Sequence, residues 1–171
     1  MPVDVETIGC DYFSATARKY LRGPRGAGFL YVSDRVLASG YEPLFPDLRG
    51  ADWIAPDVYQ PAPDAKRFET WEFAWGLVRG TGEAARYALE LGLEPIRDRA
   101  WKLAAHLRKL LSDHDRVKVL DRGAVLGATV TASVDGWAPA NLVRELREHG
   151  INTTGQESID AIIDYTAKGV D

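Results

Sequence analysis

The residues best suited to chemistry lie together near the N-terminus, in the run Ser14 to Val32, SATARKYLRGPRGAGFLYV. Lys19 stands there directly after an expected buried strand and before a glycine-rich turn, with Arg18, Arg22 and Arg25 around it. Neighbouring cations disfavour an ammonium, and burial acts in the same direction. A neutral amine is what imine formation with an aldehyde requires. The same arginines, with the backbone N–H groups of Gly23, Gly26 and Gly28, make a cradle suited to a phosphate. Residue chemistry alone leaves a second reading open, in which Lys19 and its arginines form a solvated basic loop with no ligand.

Little else in the chain competes for a chemical role. His106, His114 and His149 have no metal-ligand spacing, and Cys10 is the single cysteine, so no metal site and no intramolecular disulfide are expected. A formal net charge of −4 gives a nucleic-acid partner no electrostatic support. No apolar run reaches the roughly 18 residues of a membrane span. The opening Met-Pro-Val-Asp-Val-Glu lacks the basic and apolar regions of a signal peptide, so a cytoplasmic location is expected. A length of 171 residues with 46% hydrophobic and 27% charged residues fits an ordinary globular chain.

The elements that must position Lys19 are short. Ile8 to Ala17 reads as a buried strand, Leu21 to Ala27 as a loop, and Phe29 to Val32 as a second strand. Ser33 or Asp34 suits the cap of a short helix through Leu37. Tyr41 to Ala65 carries Pro43, Pro46, Pro56, Pro61 and Pro63 and reads as a long irregular crossing. Glu69 to Leu91 reads as a helix with Phe73, Leu77, Ala84, Tyr87, Ala88 and Leu91 on one face, loosened by Gly76, Gly80 and Gly82. Pro95 opens the next helix, with Ile96, Ala100, Leu103, Leu107, Leu110 and Leu111 at helical spacing. Val117 to Leu120 and Val125 to Val134 read as strands, and Pro139 to Gly150 as a helix and its end. Ile151 to Thr154 and Ile159 to Ile163 read as further short strands.

The string Lys19-Tyr20-Leu21-Arg22-Gly23-Pro24-Arg25-Gly26 resembles the Schiff-base segment of class V aminotransferase-like enzymes, which use pyridoxal 5'-phosphate (PLP). This group includes isopenicillin N epimerase, hercynylcysteine sulfoxide lyase and the cysteine desulfurases. Asp11-Tyr12-Phe13-Ser14-Ala15-Thr16 before the string and Gly28-Phe29-Leu30-Tyr31-Val32 after it match the same pattern. Arg67-Phe68-Glu69-Thr70-Trp71-Glu72 is similar to the turn that follows the crossing loop, where residues of relatives approach the cofactor phosphate of the neighbouring subunit.

The resemblance implies an α/β chain, the C-terminal part of a fold-type-I PLP-dependent transferase. Residues 1–93 would end the large domain and keep a remnant of its sheet; residues 94–171 would supply the long helix and part of a small α+β domain. Lys19 would form the internal aldimine, and Thr16 and Arg18 would contact the phosphate. Relatives use a hydroxyl residue and a histidine at those two places, and arginine keeps the donor while adding fixed charge. Glu72 stands where some relatives carry threonine, and capping of the helix beginning there is its expected role. Asn152 and Thr153 would lie close to a small amino-acid substrate, and the active sites of a homodimer would form between subunits. The Asn152-Thr153-Thr154 glycosylation pattern is read as incidental.

Enzymes of this group are about twice as long. The aspartate that pairs with the pyridine nitrogen and the ring-stacking aromatic would lie before Met1, and the arginine for the substrate carboxylate after Asp171. The chain is therefore expected to be a fragment, a truncated product or half of a split enzyme, with exposed apolar surface and a tendency to associate. The stretch from Gly150 to Gln156 lacks the nucleophilic cysteine of a desulfurase, and Cys10 falls in an expected strand, so the persulfide route is disfavoured. A C–S lyase or epimerase is the favoured reaction type and an aminotransferase an alternative. A catalytically incompetent piece with a structural or interaction role is the reading from a different class.

Overall fold

The computed structural model describes residues 2–169, which fall into two compact units, Met1–Ile96 and Arg97–Asp171. The first unit opens with α1 (Val5–Ile8), where the expected strand was to start. The Asp4 carboxylate accepts from the N–H groups of Glu6 and Thr7, each at 3.0 Å, and Gly9 ends the turn at φ 69°. Local capping thus takes Ile8 away from the strand. The strand β1 is confined to Tyr12–Thr16 and pairs antiparallel with β2 (Gly28–Val32), in a register from Tyr12 opposite Val32 to Thr16 opposite Gly28.

Ser33 caps α2 (Asp34–Ala38), its hydroxyl accepting from the Val36 N–H at 3.3 Å. The crossing is less irregular than its prolines imply. It holds a second hairpin, β3 (Ala51–Ala55) and β4 (Val58–Pro61), paired antiparallel. Pro56 presets the turn, Asp57 takes the left-handed φ of 61° that aspartate tolerates, and Pro61 stands at the end of its strand. A single 3-10 turn, Ala65–Phe68, follows.

The helix expected from Glu69 begins later, as α3 (Trp75–Leu91). Its N-cap is Ala74, which makes no side-chain capping bond, so Glu72 lies ahead of the helix and does not cap it. The inward positions are Leu77, Thr81, Ala84 and Ala88, one per helical turn, while Tyr87 and Leu91 of the expected face are about half exposed. Next, α4 (Leu93–Ser112) carries Pro95 in its first turn. Ala104 is its covered residue, and Leu103, Leu107 and Leu110 form an exposed apolar stripe.

The second unit pairs β5 (Val117–Val119) with β6 (Ala132–Val134) and continues through α5 (Pro139–Glu148) to α6 (Ile162–Lys168). The strand expected from Val125 is cut to three residues because side chains hold the preceding loop irregular. Arg108 donates to Asp121 at 2.7 Å and to the carbonyls of Gly127 and Thr129 at 2.8 and 2.7 Å. Asp121 accepts in turn from the Thr131 N–H at 3.0 Å and its hydroxyl at 2.5 Å. Ile151 to Thr154 is not a strand, and the Ile159 to Ile163 segment is a 3-10 turn, Ser158–Asp160, running into α6. A capping box between Glu157 and Asp160 sets that turn.

Among the described residues the fully covered apolar side chains are small: Ala17, Val32, Val36, Ala88 and Ala104. Leu44, Phe45, Leu48, Trp53 and Ile163 are between 72% and 87% exposed. No helix among the described residues is long and apolar enough to cross a membrane.

Candidate functional site

The hairpin β1–β2 ends in an eleven-residue connection that carries Lys19. The Ala17 N–H donates to the Ala27 carbonyl at 2.9 Å, extending the pairing one step past the strands. The chain then doubles back. The Gly23 N–H donates to the Ala17 carbonyl at 2.8 Å and the Arg22 N–H to the Lys19 carbonyl at 2.9 Å, so Lys19 sits inside a closed turn. Ala17 is 0% exposed at the root of this turn, whereas Thr16, Arg18 and Lys19 are exposed around it. The burial expected to neutralise Lys19 is therefore absent from this chain, because the turn projects beyond the two strands.

Two glycines are required by close approach. A Cβ on Gly23 would stand 2.9 Å from the Cβ of Ala17, and one on Gly28 would stand 2.5 Å from the carbonyl oxygen of Ala15. Gly23 spends its N–H on Ala17, so that group does not serve as an anion donor. Replacing Gly28 with alanine is expected to cost about 1 to 3 kcal/mol by overpacking the hairpin. A drop in the thermal midpoint of the variant would show it, and an unchanged midpoint would contradict the stated clearance.

The turn rests on α3. Pro24 packs where Gly80 leaves room, with 3.4 Å to the position a Cβ would take, and Leu77 lies 3.2 Å from the corresponding position on Gly26. The Arg22 guanidinium lies 5.1 Å from the centroid of the Tyr87 ring. Arg22, counted by its sequence among the phosphate donors, is thus engaged with an aromatic face instead. Gly80, which weakens the helix by its flexibility, is the residue that admits the proline.

At the base of the hairpin a second constellation holds β1 to α2. Asp11 accepts from Arg35 Nε at 2.9 Å and Nη2 at 2.6 Å and from the Ser33 hydroxyl at 3.0 Å. The Arg35 hydrogen bonds, then that of Ser33, hold the Asp11 carboxyl below its ordinary range. Arg67, 8% exposed, has a wholly internal role. Its Nε donates to the Ala62 carbonyl at 2.9 Å and its Nη1 to those of Tyr41 and Leu37 at 3.0 and 3.3 Å. Nearby, Arg49 stacks at 4.9 Å over Phe73 and 5.2 Å over Trp75 and pairs with Glu69 at 3.5 Å. Sequence reasoning missed Asp11, Ser33 and Arg35 as a unit; the aspartate opening the β1 motif and the serine closing β2 were its visible signal.

Asn152 and Thr153 are exposed in an extended stretch of the second unit, between α5 and the 3-10 turn. The structure places Thr16 at the end of β1 and Arg18 and Lys19 in the turn that follows, and holds Asn152 and Thr153 in the other unit. Among the described residues, no side-chain hydrogen bond or ion pair engages Thr16, Arg18 or Lys19. The hydroxyl, guanidinium and primary amine of these three residues are accessible.

Comparison with known proteins shows the family. A cysteine desulfurase of Synechococcus elongatus is 30% identical over 88% of this chain and 24% of its own length. The isopenicillin N epimerase of Streptomyces clavuligerus is 31% identical over 66% of this chain and 30% of its own. The apo structure of a cysteine desulfurase from Thermococcus onnurineus superposes on all of this chain and 42% of its own, with a TM-score of 0.86 at 21% identity, a match in fold. The chain thus spans about a quarter to two fifths of the length of these proteins. The family model described as Aminotransferase class-V matches residues 1–167, and the chain belongs to the class-V aminotransferase family.

Proposed function

We propose that this chain provides the cofactor-lysine segment of a PLP-dependent enzyme that acts on a small amino acid. The favoured chemistry is that of a C–S lyase or epimerase, in a cytoplasmic homodimer. The observation that carries the reading is the exposed amine of Lys19 in a closed turn beside Thr16 and Arg18. When bound, PLP supplies an electron sink for the bond broken at the α-carbon of the amino acid. Lys19 Nζ would be the point that holds the cofactor, and its amine would move the proton at that carbon. Thr16 Oγ1 and the Arg18 guanidinium would hold the phosphate, and by the family resemblance Asn152 and Thr153 would contact the substrate. The residues from Gly150 to Gln156 place threonines where a persulfide route needs a cysteine, which supports the lyase and epimerase branch.

The large exposed surface favours a second reading, a piece whose role is association. Its 13100 Å² compares with about 8,300 Å² for a compact chain of 18.9 kDa, and about 10,000 Å² for two separate units of half that mass. The test is to add PLP to the purified chain, reduce with borohydride and map the modified peptide by mass spectrometry. Modification of Lys19 ahead of the other five lysines, removed by Lys19→Ala, is the expected result. Equal modification of all six would favour the association role.

A further inference from the structure

Arg22 departs from ordinary backbone behaviour in the middle of the Lys19 turn. Its φ of 60° is left-handed, a conformation rarely adopted by residues other than glycine, asparagine and aspartate. Glycine would occupy this position without strain. The arginine nevertheless donates its N–H to the Lys19 carbonyl at 2.9 Å, and its guanidinium reaches the Tyr87 ring on α3 at 5.1 Å. Residues held in unfavourable backbone persist when their surroundings over-determine them. Here the ring contact and the bond to Lys19 act on the two ends of one residue. We propose that Arg22 is a positioning residue for Lys19: its side chain, docked on Tyr87, holds the left-handed turn that fixes where the Lys19 amine is presented. The functional meaning rests on Lys19 being the cofactor lysine; the mechanical part does not.

This coupling separates Arg22 from a merely exposed arginine. With glycine at position 22 the left-handed turn needs no clamp, so the contribution of Tyr87 to the turn vanishes. The experiment is a double-mutant cycle of Arg22→Gly and Tyr87→Leu on the whole chain, with Tyr87→Phe as the conservative variant. One readout is the ratio of Lys19 to total lysine modification by PLP and borohydride; the other is amide hydrogen exchange at Arg22 and Gly23, which uses no cofactor.

Tyr87→Leu is expected to lower the Lys19 ratio and to speed exchange at the two amides by about two- to fivefold, the factor an exposed guanidinium–ring contact supports. Tyr87→Phe keeps the parent values. In the Arg22→Gly background Tyr87→Leu changes neither readout. Equal effects of Tyr87→Leu in both backgrounds, or no effect in the parent, would overturn the proposal. If the parent shows no preference for Lys19, the cofactor reading fails, and the exchange cycle decides the positioning claim by itself.

Discussion

Arg67→Ala is expected to lower the unfolding free energy of the first unit by about 3 to 5 kcal/mol, the scale expected when one partner of a buried charged interaction is removed. The carbonyls of Leu37, Tyr41 and Ala62 share the one guanidinium. Two precede the β3–β4 hairpin and one follows it, so Arg67 closes the crossing loop on itself. The backbone of Arg67 is also fixed, since a Cβ on Gly50 would stand 2.7 Å from its carbonyl oxygen. Alanine leaves both an unfilled space and unpaired acceptors. Lysine restores charge but cannot fork across three carbonyls, so Arg67→Lys is expected to recover less than half the loss. Urea unfolding followed by tryptophan fluorescence reads this, because Trp53, Trp71 and Trp75, three of the five tryptophans, lie in this unit. A loss below about 1 kcal/mol would mean that water replaces the guanidinium at all three carbonyls.

The second large effect belongs to the other unit. Arg108 and Asp121 have side chains only 13% and 11% exposed and meet at 2.7 Å. Breaking such a pair leaves a buried guanidinium uncompensated, and Asp121→Asn is expected to cost about 3 kcal/mol at neutral pH. Burial pushes the Asp121 carboxyl up, but the hydrogen bonds from Thr131 and Arg108 outweigh it, so the group lies below its ordinary value. A carboxyl depressed on folding contributes stability above the unfolded value, about 3.9, and that contribution is lost as pH falls through the folded value. The parent and Asp121→Asn should therefore differ fully at pH 7 and converge in acid below about pH 4. Thermal midpoints across that range measure it, and a constant gap down to pH 2 would show that the charge of Asp121 is not what stabilises the loop.

Legibility differed by kind of element. The helices α4 and α5 were readable because Pro95, Pro139 and Gly150 mark their limits and helical spacing fills them. The strands β1 and β2 were readable from their branched and aromatic residues, though not their antiparallel pairing. The crossing loop was not, since its prolines concealed a hairpin in which proline takes the turn and the strand end. The strand expected from Val125 failed for another reason: Arg108, at least 13 residues upstream of its partners, captures the carbonyls that a ladder would use. Lys19 and the arginines around it stood out by their residue types, and Thr16 only through the family resemblance. Tyr87 and Arg67 did not, because nothing in the sequence distinguishes an arginine bound to internal carbonyls from one offered to a phosphate.

The smallness of the covered residues bears on temperature. Heat capacity rises on unfolding in proportion to the apolar area newly wetted, normally about 12–15 cal/mol/K per residue. Among the described residues the fully covered apolar side chains are alanines and valines, and Leu44, Phe45, Leu48 and Trp53 are largely wet, so this chain wets less area on unfolding than a compact chain of its length. Its stability curve is accordingly expected to be flatter than that of a compact chain of the same length. Covering Leu44, Phe45, Leu48 and Trp53 would raise the heat-capacity change of unfolding, so the curvature of the stability curve gauges how much of that surface is covered.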